Sequence, residues 1–350
     1  SSNKILVIGG GPAGLEAARS VAELGGEVIL LEKRERLGGT PDRENYAKLT
    51  HHWRDASEAM AELAASVTSS ARVEVKYNAE VKGMSGSAGN FNVEIEAGGV
   101  AESLNVGAVI VATGFQHFDP GRATQQYNYY TFPDVVTLTD LEKMLKDHHV
   151  VRPSNGEAPK KIAFIQCVGS RDRRIGNEYC SKVCCGIASK QAIELRELLP
   201  DSKVMIFYID MRMYGYWENE IYWPAQEKYK VNYVKGVISE VLKKGDQLLI
   251  RGEDTTMGRP MEVTMDMVVL SIGMEPSAGT RAIAQTLGVK QNKYGFIEAG
   301  GEGGLDTVAT SAPGVFVAGA AAGPADLNDS ISMAGLAAAR AVAAAQKVAA

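Results

Sequence analysis

The sequence predicts an α/β protein of two Rossmann-like, three-layer domains, the second inserted into the first. Three observations predict it. The chain opens on an apolar run, a glycine-rich turn and a helical pattern; a second apolar run enters a turn near residue 161; and a short apolar run near the C-terminus is placed to rejoin the first sheet. At 350 residues, 45% hydrophobic and 23% charged, the chain has length for two domains of roughly 100–200 residues each. A formal net charge of −5 provides no basic face for a phosphate backbone, so a nucleic-acid partner is excluded and the Arg171 to Arg174 cluster is local. No apolar stretch of about eighteen residues occurs, and the first strand begins near Lys4, which argues against a membrane span and a signal peptide.

The first element is the apolar run Lys4 to Ile8. Gly9-Gly10-Gly11-Pro12-Ala13-Gly14 follow, then a helical pattern to Leu24, a strand from Glu27 to Leu31, and the acid Glu32. Glycines there permit a tight turn and close approach of a pyrophosphate, the helix N-terminus offers its positive dipole end, and Glu32 can accept from a ribose hydroxyl. Together they read as a dinucleotide site with Gly9, Gly11, Pro12, Ala13, Gly14, Glu32 and the adjoining Lys33 as candidate contacts. Gly38-Gly39-Thr40 lies just beyond the acid, and Gly107 to Gly114 reads GAVIVATG. This pattern resembles the FAD domain of the two-dinucleotide flavoprotein family that includes thioredoxin and glutathione reductases. The resemblance implies FAD on the first loop, with Gly38, Gly39, Thr40, Ala112, Thr113 and Gly114 close to it. Pro313 to Gly319, ahead of the last helical stretch, looks like the strand that returns to complete that domain. The family places a ribityl-binding aspartate after that glycine, whereas this chain has Ala320; Gly319, Ala320 and Ser330 are the candidate contacts, with Asp326 and Asp329 nearby.

All four cysteines fall between Cys167 and Cys185, in the order C-x12-C-x3-C-C. Four thiolates at one locus can hold zinc, an iron–sulfur cluster or disulfides. Neighbouring Cys184 and Cys185 are poorly placed to bridge each other, and no cysteine lies elsewhere, so a disulfide scaffold is excluded and a reducing, intracellular compartment is expected. The second apolar run, KIAFIQCVGSRD from Lys161 to Asp172, enters Cys167 where a nucleotide loop would place its first glycine. Strands follow at Lys203 to Ile209 and Val231 to Val234, and DMVVLSIGMEP from Asp266 to Pro276 closes the domain. A side chain at a pyrophosphate turn crowds the backbone, which argues against a nicotinamide site here. Cys180, Cys184 and Cys185 arrive at the start of a helical pattern running to Leu198, where a helix N-terminus favours thiolate.

FIQCVGSRD followed by YCSKVCCG resembles the flavin-bearing A subunits of heterodisulfide reductases, and the resemblance runs from the first glycine loop to the GVFVAGA segment. It implies a thioredoxin reductase type of fold, in which Cys167, Cys180, Cys184 and Cys185 carry a [4Fe–4S] cluster, and it places Lys190, in SKQA of the same helix, near the flavin N5. The simpler account of Lys190 is a solvated helix lysine. The absence of further cysteines implies the short form found in sulfur oxidisers. Such a protein is a cytoplasmic electron-transfer flavoprotein and a homodimer, with partners resembling the B and C subunits and a lipoate-binding protein as a possible sulfur carrier. Two rivals stand beside it. A pyridine-nucleotide disulfide reductase needs a redox-active cysteine pair and a second glycine fingerprint, and no C-x-x-C occurs. An FAD-binding scaffold with structural zinc would more often show paired C-x2-C knuckles.

The expected FAD domain spans 1–118 and 286–350, a connecting segment 119–154, and the inserted domain 155–285. His51-His52 with Trp53 falls in a helical stretch from about Ala47 to Ala65, where adjacent side chains diverge, so a surface helix is expected there. His148-His149 is expected at the C-terminal end of a helix opened by a Thr139 to Glu142 capping box. Tyr127 to Tyr130 and Tyr214 to Trp223 are aromatic-rich stretches that suit an interface or loop packing. The alanine-rich tail from Gly335 to Ala350 is expected to be a packed helix.

Overall fold

The computed structural model describes residues 2–44, 46–49, 53–122, 125–301 and 304–347. They form two compact units, one of residues 1–43, 55–116 and 275–350, the other of residues 44–54 and 117–274.

The first unit is built on a parallel sheet in the order Val315–Val317, Ala108–Val111, Ile5–Ile8, Val28–Leu31 and Val73–Lys76. Its central strands are apolar at every position because both faces are covered. Leu6 and Ile8 face one buried cluster with Ile29 and Val109; Ile5 and Val7 face another with Leu15, Ala18 and Val21 of the helix Pro12–Glu23. The alanine-rich tail is the helix Leu327–Lys347, beginning earlier than Gly335, and Ala334, Ala337, Ala338, Ala341 and Ala345 pack into that second cluster. Small side chains let this helix lie close to its neighbours. An antiparallel meander, Ala79–Ser87, Asn90–Ala97 and Val100–Val106, completes the unit.

The second unit has a seven-stranded mixed sheet. Its parallel part runs Asn232–Lys244, Lys203–Tyr208, Lys161–Val168, Met267–Ile272 and Val135–Thr137, and Gln247–Asp254 and Arg259–Met265 extend it antiparallel beyond the long strand. The boundaries differ from the expected ones. The segment 119–154 lies within this unit, because Val135–Thr137 pairs beside Met267–Ile272 and the helix Leu138–Lys146 buries Leu138, Leu141 and Leu145 in its core. Residues 275–285 belong instead to the first unit, where the helix Ala278–Leu287 buries Ile283, Ala284 and Leu287.

Local details also shift. The helix expected from Ala47 is Ala56–Thr68, opened by Asp55, whose carboxylate accepts from Glu58 N–H at 2.9 Å; His51 and His52 lie outside the described residues. The capping box pairs Thr137 with Asp140, two residues before the expected position, and His148 follows the end of that helix as expected. Among the described residues no helix is long and apolar enough to cross a membrane.

Candidate functional site

The strand Ile5–Ile8 ends on Gly9, with a φ of 111° that glycine adopts without strain, and a side chain there would meet the Ala112 carbonyl oxygen at 2.1 Å. The helix Pro12–Glu23 begins at once. Pro12 stands in its first turn and Gly11 at its N-cap brings no capping side chain, so the first N–H groups face the turn unspent. A Cβ on Gly14 would fall 1.6 Å from the Gly9 carbonyl oxygen, and one on Gly39 would fall 2.6 Å from Gly11 Cα. Gly38 N–H donates to the Gly10 carbonyl at 2.8 Å, which lays the second glycine pair against the first. Gly319 packs on Ala13, with Ser330 beside it. This is a cradle of bare backbone, the surface that a dinucleotide pyrophosphate requires.

The structure therefore gathers Gly9, Gly11, Pro12, Ala13, Gly14, Gly38, Gly39, Ala112 and Gly319 around one turn. Glu32 is buried at the end of the neighbouring strand and accepts from Arg34 N–H at 3.4 Å. Thr40 accepts from Arg43 at 3.2 Å, while Lys33 is exposed and pairs with Glu80 at 3.6 Å. Ala320 is buried in the short turn Gly319–Ala321. Asp326 caps the last helix, accepting from Asp329 N–H at 2.6 Å. Two residues escaped the sequence reading: Ser277 donates to the Thr113 carbonyl at 3.0 Å and Thr280 to the Gly114 carbonyl at 3.1 Å, clamping the ATG segment. The S-x-x-T at the start of the helix Ala278–Leu287 was the signal, as an N-cap pattern, but nothing local announced the long-range clamp.

The strand Lys161–Val168 occupies the same central place in the second sheet. It bulges between Ile165 and Val168, and Cys167 takes a φ of 59°. That is the left-handed conformation which glycine serves in a nucleotide turn, here carried by a side chain. Residues 169–183 then form an ordered loop: Arg171 N–H donates to Tyr179 O at 2.9 Å, Asn177 Nδ2 to Gly169 O at 3.1 Å, and Tyr179 Oη to Met274 O at 2.6 Å. The loop delivers Cys180 and then the helix Cys184–Leu198, which also starts with no capping side chain. At Gly186, in the first turn, a Cβ would lie 1.7 Å from the Trp217 ring, so glycine admits the indole beside Cys185. The aromatic stretch 214–223 is thus loop packing at this point.

All four thiols are free and line one cavity with Ser170, Arg171, Ser181, Lys182, Asp210 and Arg212. Burial pushes the Cys167 thiol up to about 12, with the neighbouring Cys185 and Cys180 adding to the rise. Burial also raises Cys184 strongly and Cys185 to a lesser degree. Such thiols ionise when a cation compensates them. Among the described residues no three or more His, Cys, Asp or Glu side chains converge closely enough to hold a metal ion.

Lys190 is 2% exposed, which sets aside the solvated helix lysine. Its ammonium pairs with Glu142, donates to the Lys48 carbonyl at 2.9 Å and stands 3.9 Å from Glu194. Glu142 also accepts from Ala47 N–H at 2.8 Å and from Gln191 Nε2 at 3.1 Å. Burial raises Glu194 to about 7, against the pull of Lys190.

A family model described as pyridine nucleotide-disulphide oxidoreductase matches residues 3–346. The A subunit of the H(2):CoB-CoM heterodisulfide,ferredoxin reductase of Methanothermobacter marburgensis is 32% identical, covering 97% of this chain and 63% of the relative. The second iron-sulfur A subunit of the CoB--CoM heterodisulfide reductase of Methanopyrus kandleri is 31% identical, covering 97% and 64%. The chain thus spans just under two thirds of these relatives. Among solved structures, the T. acidophilum thioredoxin reductase superposes with a TM-score of 0.64 at 18% identity over 99% of both chains, a likeness of fold.

Proposed function

The chain belongs to the pyridine nucleotide-disulphide oxidoreductase family, and from that premise we propose that it is the flavin and iron–sulfur subunit of a heterodisulfide reductase-like complex. It is an oxidoreductase component that exchanges electrons between FAD and one [4Fe–4S] cluster. The observation that carries this reading is the pair of turns: one is bare glycine backbone, and the other, at the same place in its own sheet, is lined by every thiol of the chain.

Bound FAD and a cluster supply two-electron and one-electron chemistry respectively. In this reading Gly9, Gly11 and Gly14 admit the pyrophosphate to the backbone, Glu32 accepts from the ribose, and Ser277 and Thr280 hold the Thr113-Gly114 turn in place. Cys167, Cys180, Cys184 and Cys185 hold the cluster. Their gathering around one cavity supports that role. Ser330 stands beside Gly319 for the ribityl chain. Lys190 is assigned to the flavin by family resemblance alone.

The finer reading is also a proposal: a cytoplasmic homodimer of the sulfur-oxidiser type, with B-like and C-like partners and lipoate-bound sulfur handled by a partner. The name of the Methanopyrus relative, an iron-sulfur subunit, supports the cluster. Anaerobic purification followed by iron, acid-labile sulfide, zinc and flavin analysis tests it. Equimolar iron and sulfide with FAD are expected; zinc without sulfide would replace the reading with a structural zinc site.

A further inference from the structure

Two buried donors close to the cysteines have no hydrogen-bond acceptor among the described residues. Gln166 precedes Cys167 on the strand Lys161–Val168 and is 5% exposed. Its Oε1 accepts from the hydroxyl of Ser271 on the adjacent strand, which fixes the amide so that Nε2 faces away from Ser271. That nitrogen is buried with no hydrogen-bond partner. The Gln166 amide lies beside the Cys185 sulfur. Ser170 is 1% exposed and lines the cavity together with all four thiols, and its hydroxyl likewise has no partner. Buried polar atoms without partners are uncommon in native proteins and call for an acceptor. All four cysteine sulfurs line this cavity and can accept.

We propose that Gln166 Nε2 and Ser170 Oγ donate to sulfurs of the metal–sulfur group held by the four cysteines, and that Ser271 is the positioning residue which aims Gln166. This rests on the iron–sulfur reading above. Reduction adds negative charge to such a group, and a donor aimed at its sulfur stabilises the reduced form more than the oxidised one. Both donors therefore raise the reduction potential above the value the thiolates alone would set. A neutral amide and hydroxyl achieve this without adding a charge that the buried cavity would have to offset.

The test uses the anaerobically purified holoprotein and its variants Gln166→Leu, Ser170→Ala, Ser170→Thr and Ser271→Ala. Iron and sulfide content is measured first, then the cluster midpoint potential by an EPR-monitored redox titration, with the flavin midpoint as internal reference. Gln166→Leu and Ser170→Ala are expected to keep the cluster and shift its midpoint to more negative values. Ser271→Ala should shift it less, and Ser170→Thr, which retains the hydroxyl, should leave it at the parent value. The flavin midpoint should not move. Should Gln166→Leu lose its cluster, the Ser170 pair decides. Midpoints equal to the parent's in the cluster-bearing variants, or an equal shift in Ser170→Ala and Ser170→Thr, would overturn the inference while leaving the iron–sulfur reading intact. A parent protein lacking iron and sulfide overturns that reading itself.

Discussion

The turn after Ile8 and the turn after Val168 begin alike and end differently. Each follows a strand with parallel neighbours on both sides and holds positive φ, at Gly9 (111°) in the first and, in the second, at Cys167 (59°) in the bulge before the exit and at Gly169 (83°) just past it; each leads to a helix whose N-terminus no side chain caps. The helices Ala56–Thr68, Leu138–Lys146 and Ala278–Leu287, by contrast, are closed by Asp55, Thr137 and Ser277. In both turns, then, the backbone is left with N–H groups to spend on something else. The first reaches its helix within residues 9–11, and its usefulness comes from side chains it lacks. The second takes residues 169–183, a loop long enough to bring a fourth thiol, Cys180, beside Cys167 and the helix-borne pair. The backbone plan of a nucleotide turn survives there while its chemistry is supplied by side chains.

The largest effect should separate the two turns completely. Cys184→Ser keeps the size and a polar atom but replaces a soft thiolate with a hydroxyl, in a cavity where the thiol is 5% exposed. The variant is expected to lose iron, sulfide and visible cluster absorbance while retaining FAD in full. Unchanged iron content and absorbance would show that Cys184 is not a ligand and that the second turn serves some other end.

The contrast between the turns was legible in sequence because both are written locally. Gly9 to Gly14, the four cysteines and the strand before Gly319 each sit in a short stretch whose periodicity and composition agree with the fold. What escaped is held by residues far apart in the chain. Ser277 and Thr280 act on a turn more than 160 positions earlier, as the separation of 164 between Ser277 and Thr113 indicates. Val135–Thr137 reads as linker until Met267–Ile272 pairs with it, and the solvated alternative for Lys190 falls only when Glu142, 48 residues before it, meets its ammonium. The helix Cys184–Leu198 is buried almost all round, which removes the polar stripe that would have marked Lys190 as unusual.

A middle-sized effect compares the third residue of each helix, Gly14 and Gly186. A methyl on Gly14 would stand 1.6 Å from the Gly9 carbonyl oxygen, so relief requires the turn itself to open; a methyl on Gly186 would stand 1.7 Å from the Trp217 ring, a side chain that can move. Overpacking costs roughly 1–3 kcal/mol, offset by about 1 kcal/mol of helix propensity gained in replacing glycine. Gly14→Ala is therefore expected at the upper end of that range and with loss of FAD, and Gly186→Ala at about 1 kcal/mol with FAD kept. Thermal denaturation midpoints alongside flavin content measure both. Equal losses in the two variants would mean that the first turn is no more tightly built than the second.

The smallest effect addresses the backbone shared by the two turns. A non-glycine residue in the left-handed region costs about 1–2 kcal/mol, and glycine returns about 0.5–1 kcal/mol of that through the entropy of the unfolded chain. With Cys167 at a φ of 59°, Cys167→Gly should be more stable than Cys167→Ala by about 1 kcal/mol. Both variants lack the thiol, so the loss of a ligand cancels in the comparison and only the turn is read. Denaturation of the two variants side by side, each prepared without iron, measures the difference. Alanine matching or exceeding glycine would mean that the residue 167 turn does not hold the left-handed conformation in solution, and that its likeness to Gly9 is one of sequence position rather than of backbone.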